Sequence, residues 1–527
     1  MSFISYLYEA FFGLSRTLRW SYLPPLMVYL AAGISGLTAI VGTFFVKDYL
    51  GLSAAFLAGL GFWAGLPWAL KMPIGHLVDL FWKHKNYLVY LGALVIAGSL
   101  LIMYGLIQHT ESMAAILTVE AWYVLSVLLA PIGYVLQDVV ADAMTVEAVP
   151  EFDESGRPLP ESEVKEMHTT MQALGRFAVI GGSLLVALLN VAVFSGVEAL
   201  AEVEKRAIYA NIYLYALAIP CVSILGVLLS QSLNQGQGGR LNADEHSDVR
   251  PNWAVLYGSL AFVLFSVSVG ASSLPLAQEL VFLGSMVIIV FLMTQLIAYL
   301  PPNKRLMVVG TAIAIFVFRA VPSPGPGLTW FEIDVLSFDE QFLSVLAAIS
   351  SALTLLGIVL LRPLVAQYSI ARIIVVLSLI GGVLFLPSIG LYYGLHHWTS
   401  SLTAGIVDAR FIAILNTALE SPLGQISMIP LLAWIAKNAP DALKATFFAV
   451  FASFTNLALS ASALATKYMN QIFVVSREVV DNATNQVVTS ADYSELGMLL
   501  IAVALITIVA PIVTVYMIQK SPLRSVD

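Results

Sequence analysis

Asp138 and Asp142 stand four residues apart inside a long apolar run, so a helix places both carboxylates on one face. Two carboxylates that close form one coupled titrating pair, which can take up and release a proton. The pair therefore suits proton coupling or recognition of a substrate amine. The structural alternative is pairing with Arg176 or Lys71 to lock a helical bundle. Arg319 offers a second chemistry. It lies in an apolar run followed by Pro322-Ser323-Pro324-Gly325-Pro326-Gly327, and proline removes the backbone donors that a regular helix needs. A break there leaves unwound carbonyls beside a guanidinium, a combination suited to an anionic solute; otherwise the segment is a turn in an outer vestibule. Lys71, Arg176, Glu420 and Gln425 also lie deep in apolar runs. For these, substrate contact and structural pairing are both open, whereas Glu120 and Asp408 fall near run ends, where a charged head reaches solvent at little cost.

Charges at such positions mean something only if the surroundings are lipid, and composition says they are. The 527 residues include 25 Lys+Arg against 33 Asp+Glu, a net charge of −8, with 11% charged, 59% hydrophobic and a mean hydropathy of +0.88. Globular domains carry roughly 25% charged residues, so this chain has too little polar surface for a water-exposed exterior. A pI near 5.4 and the lack of a basic patch exclude a nucleic-acid partner. Cys221, the sole cysteine, permits no disulfide framework.

Crossing a bilayer takes about 20 mostly apolar residues as a helix. About fourteen such runs are predicted, near 24–46, 54–78, 87–107, 115–143, 170–194, 208–230, 253–273, 278–299, 306–331, 340–361, 371–395, 405–436, 445–470 and 495–518. Basic residues gather on the cytoplasmic side of membrane proteins. With both termini cytoplasmic, that side receives Arg16, Arg19, Lys83, Lys85, Arg240, Lys304, Arg305, Arg372 and Lys520, and the outer loops keep mainly Lys47, Lys205, Arg206 and Arg477. The prediction is an integral multi-pass protein of the plasma (inner) membrane, with the lipid bilayer as its surroundings and a monomer as its state.

Residues 231–250, rich in Gly, Asn and Gln, read as a flexible linker. The chain then divides into an N-terminal six-helix bundle (1–230), a cytoplasmic linker (231–252), an inserted transmembrane hairpin (253–300) and a C-terminal six-helix bundle (301–527). Two six-helix bundles joined in this way are the layout of the major facilitator fold, an all-α membrane architecture in which halves rock for alternating access. The chain has no HExxH, Walker loop, GxSxG or dinucleotide fingerprint, so neither an enzyme nor a cofactor is expected.

Two sets of residues carry a closer resemblance. Gly75-His76-Leu77-Val78-Asp79, with Lys83 and Lys85 following, is similar to the major facilitator loop signature, which implies a gating role for Asp79, Lys83 and Lys85 as a charge latch. Four stretches then resemble the folate-biopterin transporter family of the major facilitator superfamily: Lys71-Met72-Pro73-Ile74-Gly75 with Asp79; Asp138-Val139-Val140-Ala141-Asp142-Ala143-Met144 with Glu147; Pro322 to Gly325 with Leu336-Ser337-Phe338; and Gly424 to Pro430 running through Ala445 to Asn456. The resemblance covers about 65–180 and 305–460. It implies transport roles for Asp138, Asp142, Lys71, Arg176 and Gln425, and a pteridine or folate-like solute. Ala439-Pro440 and Lys444 depart from the family pattern, as does the inserted hairpin.

The expected function is secondary active transport of a small polar, anionic solute coupled to protons. Substrate binding falls to Lys71, Arg176, Arg319 and Gln425, and proton coupling to Asp138 and Asp142. The rival from another class is a facilitator-like membrane protein that binds pigment or assists assembly without moving solute.

Overall fold

A computed structural model describes residues 19–50, 52–69, 71, 74–75, 78, 81–150, 157–236, 253–270, 272, 274–298, 300–365, 369–423, 444–481 and 486–524. The chain is helical nearly throughout, as the bilayer requires: a helix satisfies its own backbone groups where no water can. In order, the main helices are α1 (Leu23–Ile34), α2 (Ala39–Tyr49), α3 (Ala54–Ala69), α4 (Asn86–Gln108), α5 (Val119–Ala148), α6 (Glu161–Val193), α7 (Glu202–Tyr215), α8 (Ala218–Gly236), α9 (Trp253–Gly270), α10 (Ala277–Ile297), α11 (Pro302–Arg319), α12 (Pro326–Asp334), α13 (Glu340–Val365), α14 (Ile370–Leu384), α15 (Leu395–Leu402), α16 (Ala409–Glu420), α17 (Lys444–Ile472) and α18 (Leu496–Gln519). An antiparallel hairpin of β1 (Val479–Asp481) and β2 (Gln486–Thr489) lies between α17 and α18, an addition that the all-α expectation did not contain.

Among the described residues eight helical segments are long and apolar enough to cross a membrane: Trp20–Lys47, Asn86–Gln108, Val119–Ala148, Ala173–Val193, Val203–Leu233, Glu340–Ile358, Ile370–Tyr392 and Leu496–Gln519. Ala54–Trp68 and Ala277–Phe291 are apolar but shorter. The expected total of fourteen is not reached by this measure. The ninth expected run, 306–331, is interrupted: α11 ends at Arg319 and α12 begins at Pro326.

The chain forms two compact units, Met1–Thr43 with Pro73–Tyr257, and Phe44–Met72 with Gly258–Asp527. In the first, α4 and α5 approach closely enough that a Cβ on Gly92 would fall 2.6 Å from the Gly133 carbonyl oxygen. Small residues at such crossings are how helices gain contact in lipid, where no hydrophobic force drives them together. Polar pairs add to the grip. The Ser99 hydroxyl donates to the Ser126 carbonyl over 2.8 Å, and the Ser126 hydroxyl donates in return to the Ser99 carbonyl over 3.0 Å. Gln137, buried at 2% exposure, donates to the Val89 carbonyl and accepts from Ser223 of α8. Tyr22, Ala148, Val149, Met171 and Leu174 close the core where α1, α5 and α6 meet.

In the second unit α3 and α17 pack together, with Asn456 donating to the Trp68 carbonyl over 3.1 Å. Helix α10 is fastened to the same unit. Gln278 donates to the Gly59 carbonyl at 3.0 Å, and Glu279 pairs with Lys467 at 2.9 Å while accepting from the Tyr468 hydroxyl. One apolar core joins α10, α11, α14, α17 and α18 through Met293, Val308, Ile374, Leu457 and Val515; a second gathers Phe331, Phe338, Val475, Leu496 and Leu500.

Candidate functional site

In the first unit the carboxylates of α5 meet a phenol. Tyr29 of α1, 8% exposed, donates its hydroxyl hydrogen to Asp142 Oδ1 over 2.5 Å. Asp138, one turn earlier on α5, and Arg176 of α6 both act electrostatically on the same phenol. Both aspartates are half-buried, whereas Arg176 is exposed. The backbone is fixed at this point too, since Thr145 Oγ1 donates to the Asp142 carbonyl at 2.6 Å. Two carboxylates and a guanidinium thus carry opposite charges around one phenol. Such a cluster can trade a proton or an anion for its internal partners. Tyr29 carries no sequence signal beyond being a hydroxyl in an otherwise apolar helix.

A second charged pair lies in the same unit. Lys85 Nζ meets Glu147 Oε1 at 2.5 Å and sits 4.3 Å above the Trp82 ring, with Lys85 only 7% exposed. Lys85, an expected gating residue, is thus tied to the last turn of α5. Asp79 and the Lys83 side chain lie outside the described residues, so the latch proposed between them is not visible. Gln425 lies outside them as well.

Lys71 and Arg319 belong to the second unit. Lys71 is half-buried. Arg319 occupies the last turn of α11, where a cation complements the negative end of the helix dipole. The chain then leaves helical geometry through Ala320–Pro324, turns at Gly325 with φ +74°, and re-enters a helix at Pro326. The break expected from the proline and glycine run is present.

At its far end α12 meets the last turn of α2. Asp334 pairs with Lys47 at 2.7 Å and accepts from the Tyr493 hydroxyl at 2.5 Å. Burial and that hydrogen bond push the Tyr493 hydroxyl above its ordinary range. Beside them Arg477, 4% exposed, donates to the Val46 carbonyl at 2.6 Å and to the Leu50 carbonyl, with its guanidinium 5.4 Å from the Trp330 ring. Other charges stand at helix starts. Asp408 caps α16 by accepting from the Phe411 amide at 2.8 Å, Arg410 pairs with Asp339 at 2.9 Å, and Glu120 lies exposed in the first turn of α5. No group of three or more His, Cys, Asp or Glu able to hold a metal is present among the described residues.

Comparison with known proteins adds four findings. The model of the BT1 family matches residues 32–527. A folate-biopterin transporter of Synechocystis sp. is 22% identical over 443 residues, covering 83% of this chain and 72% of that protein. Among solved structures, a POT family transporter in complex with 5-aminolevulinic acid matches with a TM-score of 0.62 at 13% identity, covering 96% of each chain. The nucleoside transporter NupG matches with a TM-score of 0.53 at 14% identity, covering 96% of this chain and 100% of that one. These structural likenesses establish the fold, the all-α major facilitator architecture.

Proposed function

Because the chain belongs to the BT1 family, whose members are multi-pass membrane transporters rather than enzymes, we propose that it moves a small anionic organic solute of the pteridine or folate class by proton-coupled alternating access. The single observation that carries this reading is the Tyr29, Asp142, Asp138 and Arg176 cluster, ionisable groups gathered inside an otherwise apolar helical unit. Such groups are costly at bilayer depth and mark solute or proton pathways. The name of the Synechocystis relative supports the solute class.

In this reading Asp138 and Asp142 exchange the coupling proton, with Tyr29 holding Asp142 in place. Arg176, Lys71, Arg319 and Gln425 meet the solute's anionic and polar groups, and Asp79, Lys83 and Lys85 latch the cytoplasmic side. The moving bodies are the two six-helix bundles, 1–230 and 301–527, with the linker 231–252 and the hairpin 253–300 between them in sequence. The protein works as a monomer in the plasma membrane with both termini cytoplasmic.

The test has two steps. Folate, biopterin and unrelated organic anions are compared for thermal stabilisation of the purified protein, since a ligand of the folded form raises apparent stability by mass action. The stabilising compound is then offered to proteoliposomes under an imposed pH gradient. Accumulation that a protonophore abolishes is the expected result. Stabilisation by no pteridine, together with no flux, would overturn the reading.

A further inference from the structure

We infer that Ser462, Thr466 and Asn470 of α17 are positioning residues that hold the unwound turn 320–325, and Arg319 with it, in the geometry that binds solute. This rests on the transport reading above. The three side chains recur every four residues, so they line one face of α17. Each takes hold of the unwound turn. Ser462 Oγ donates to the Val321 carbonyl over 2.6 Å. Thr466 Oγ1 accepts from the Ser323 amide over 2.9 Å, and Asn470 Nδ2 donates to the Pro324 carbonyl over 3.2 Å.

The turn needs such partners because its own sequence removes the usual ones. Pro322, Pro324 and Pro326 have no amide hydrogen, so this stretch cannot bond itself as a helix does. Irregular backbone at membrane depth persists only where protein or a wet cavity satisfies it. The fit is close and leaves little slack. Thr466 and Asn470 are each 3% exposed, and a Cβ on Gly325 would fall 2.8 Å from Asn470 Nδ2. Gly325 also holds φ +74° and ψ −166°, a conformation that side-chain-bearing residues avoid. The ladder leaves the Pro322 and Ser323 carbonyls out of its own bonding. Asn470 Oδ1 is buried without a hydrogen-bond partner, so the amide faces the turn as a donor rather than as one half of a closed pair. Arg319, one residue before the turn, inherits its position from this anchorage.

The experiment uses the full-length protein in proteoliposomes with folate as the probe. Thr466→Val keeps the shape of the side chain and removes the hydroxyl. The expected result is a KM about tenfold higher with kcat within about twofold, the scale of one lost hydrogen bond, recovery in Thr466→Ser, and faster hydrogen exchange at the Ser323 amide. Ser462→Ala serves as the second variant and is expected to shift KM in the same direction. A purely structural role would lower thermal stability and active fraction without the split between KM and kcat. A wild-type protein that moves no folate overturns the transport reading and this assignment together. A wild type that moves folate beside Thr466→Val and Ser462→Ala variants of unchanged KM overturns the assignment alone.

Discussion

Tyr29 and Asp142 stand 113 residues apart in sequence and 2.5 Å apart in space, joined by a hydrogen bond from phenol to carboxylate. Tyr29→Phe removes that bond and nothing else. It is expected to lower stability by about 1–3 kcal/mol and proton-driven uptake by about tenfold or more. Asp142→Asn keeps an acceptor for the phenol but cannot carry a proton. Solute counterflow should persist in that variant while uptake driven by a pH gradient disappears; gradient-driven accumulation at the wild-type level would remove Asp142 from the coupling step.

The Lys85 and Glu147 pair is largely shielded from solvent, with side chains 9% and 20% exposed. Breaking a buried pair by removing one partner costs about 3–5 kcal/mol because the other charge stays behind, whereas removing both costs far less. Lys85→Met should therefore unfold at a markedly lower temperature than the Lys85→Met, Glu147→Leu double variant. Equal melting of the two would mean that the pair contributes no specific interaction.

Gly92 and Gly98 lie on the same helix and provide an internal comparison. A Cβ at Gly92 meets the Gly133 backbone at 2.6 Å, while one at Gly98 meets nothing within 4 Å. Gly92→Ala is expected to cost about 1–3 kcal/mol by forcing α4 and α5 apart, and Gly98→Ala to be neutral or slightly stabilising. Thermal unfolding in detergent reads both.

His396 lies in α15, after the Ile370–Tyr392 span. Burial and the adjacent His397, whose ring centre is 3.9 Å away, push its imidazole below the ordinary value of 6.5. The unfolded chain then binds this proton more readily than the folded one. The contribution to stability is complete above pH 6.5 and is lost as pH falls through the lowered folded value. Melting temperature should drop on acidification from about pH 7.5 to about pH 5, less steeply in His396→Gln. The group is partly exposed, so the difference is small; identical slopes would discount it.

What could be read without coordinates follows from how local the chemistry is. The break after Arg319 is legible because proline and glycine act on their own backbone, and the Asp138 and Asp142 pairing because helical spacing alone aligns the two. Tyr29 was not legible: its partner comes from another helix, and tyrosine in a membrane helix usually signals nothing. The Ser462, Thr466 and Asn470 stripe is visible as a spacing, but its target lies over 140 residues earlier, as the bonds from Asn470 to Pro324 and Ser462 to Val321 show. Glu147 gives no sign of its partner, since nothing near it in sequence announces Lys85.

The bond from Arg477 to the Val46 carbonyl joins residues 431 positions apart. At ribosomal speeds of about 5–20 residues per second, roughly 20–90 s pass between the emergence of one partner and the other. Throughout that interval the end of α2 waits with its eventual clasp still unsynthesised. The Lys47, Asp334 and Tyr493 contacts mature in the same sequence, Asp334 first and Tyr493 last. The last of these contacts need the carboxyl-terminal part of the chain, so a ribosome stalled before Arg477 would leave α2 and α12 without them.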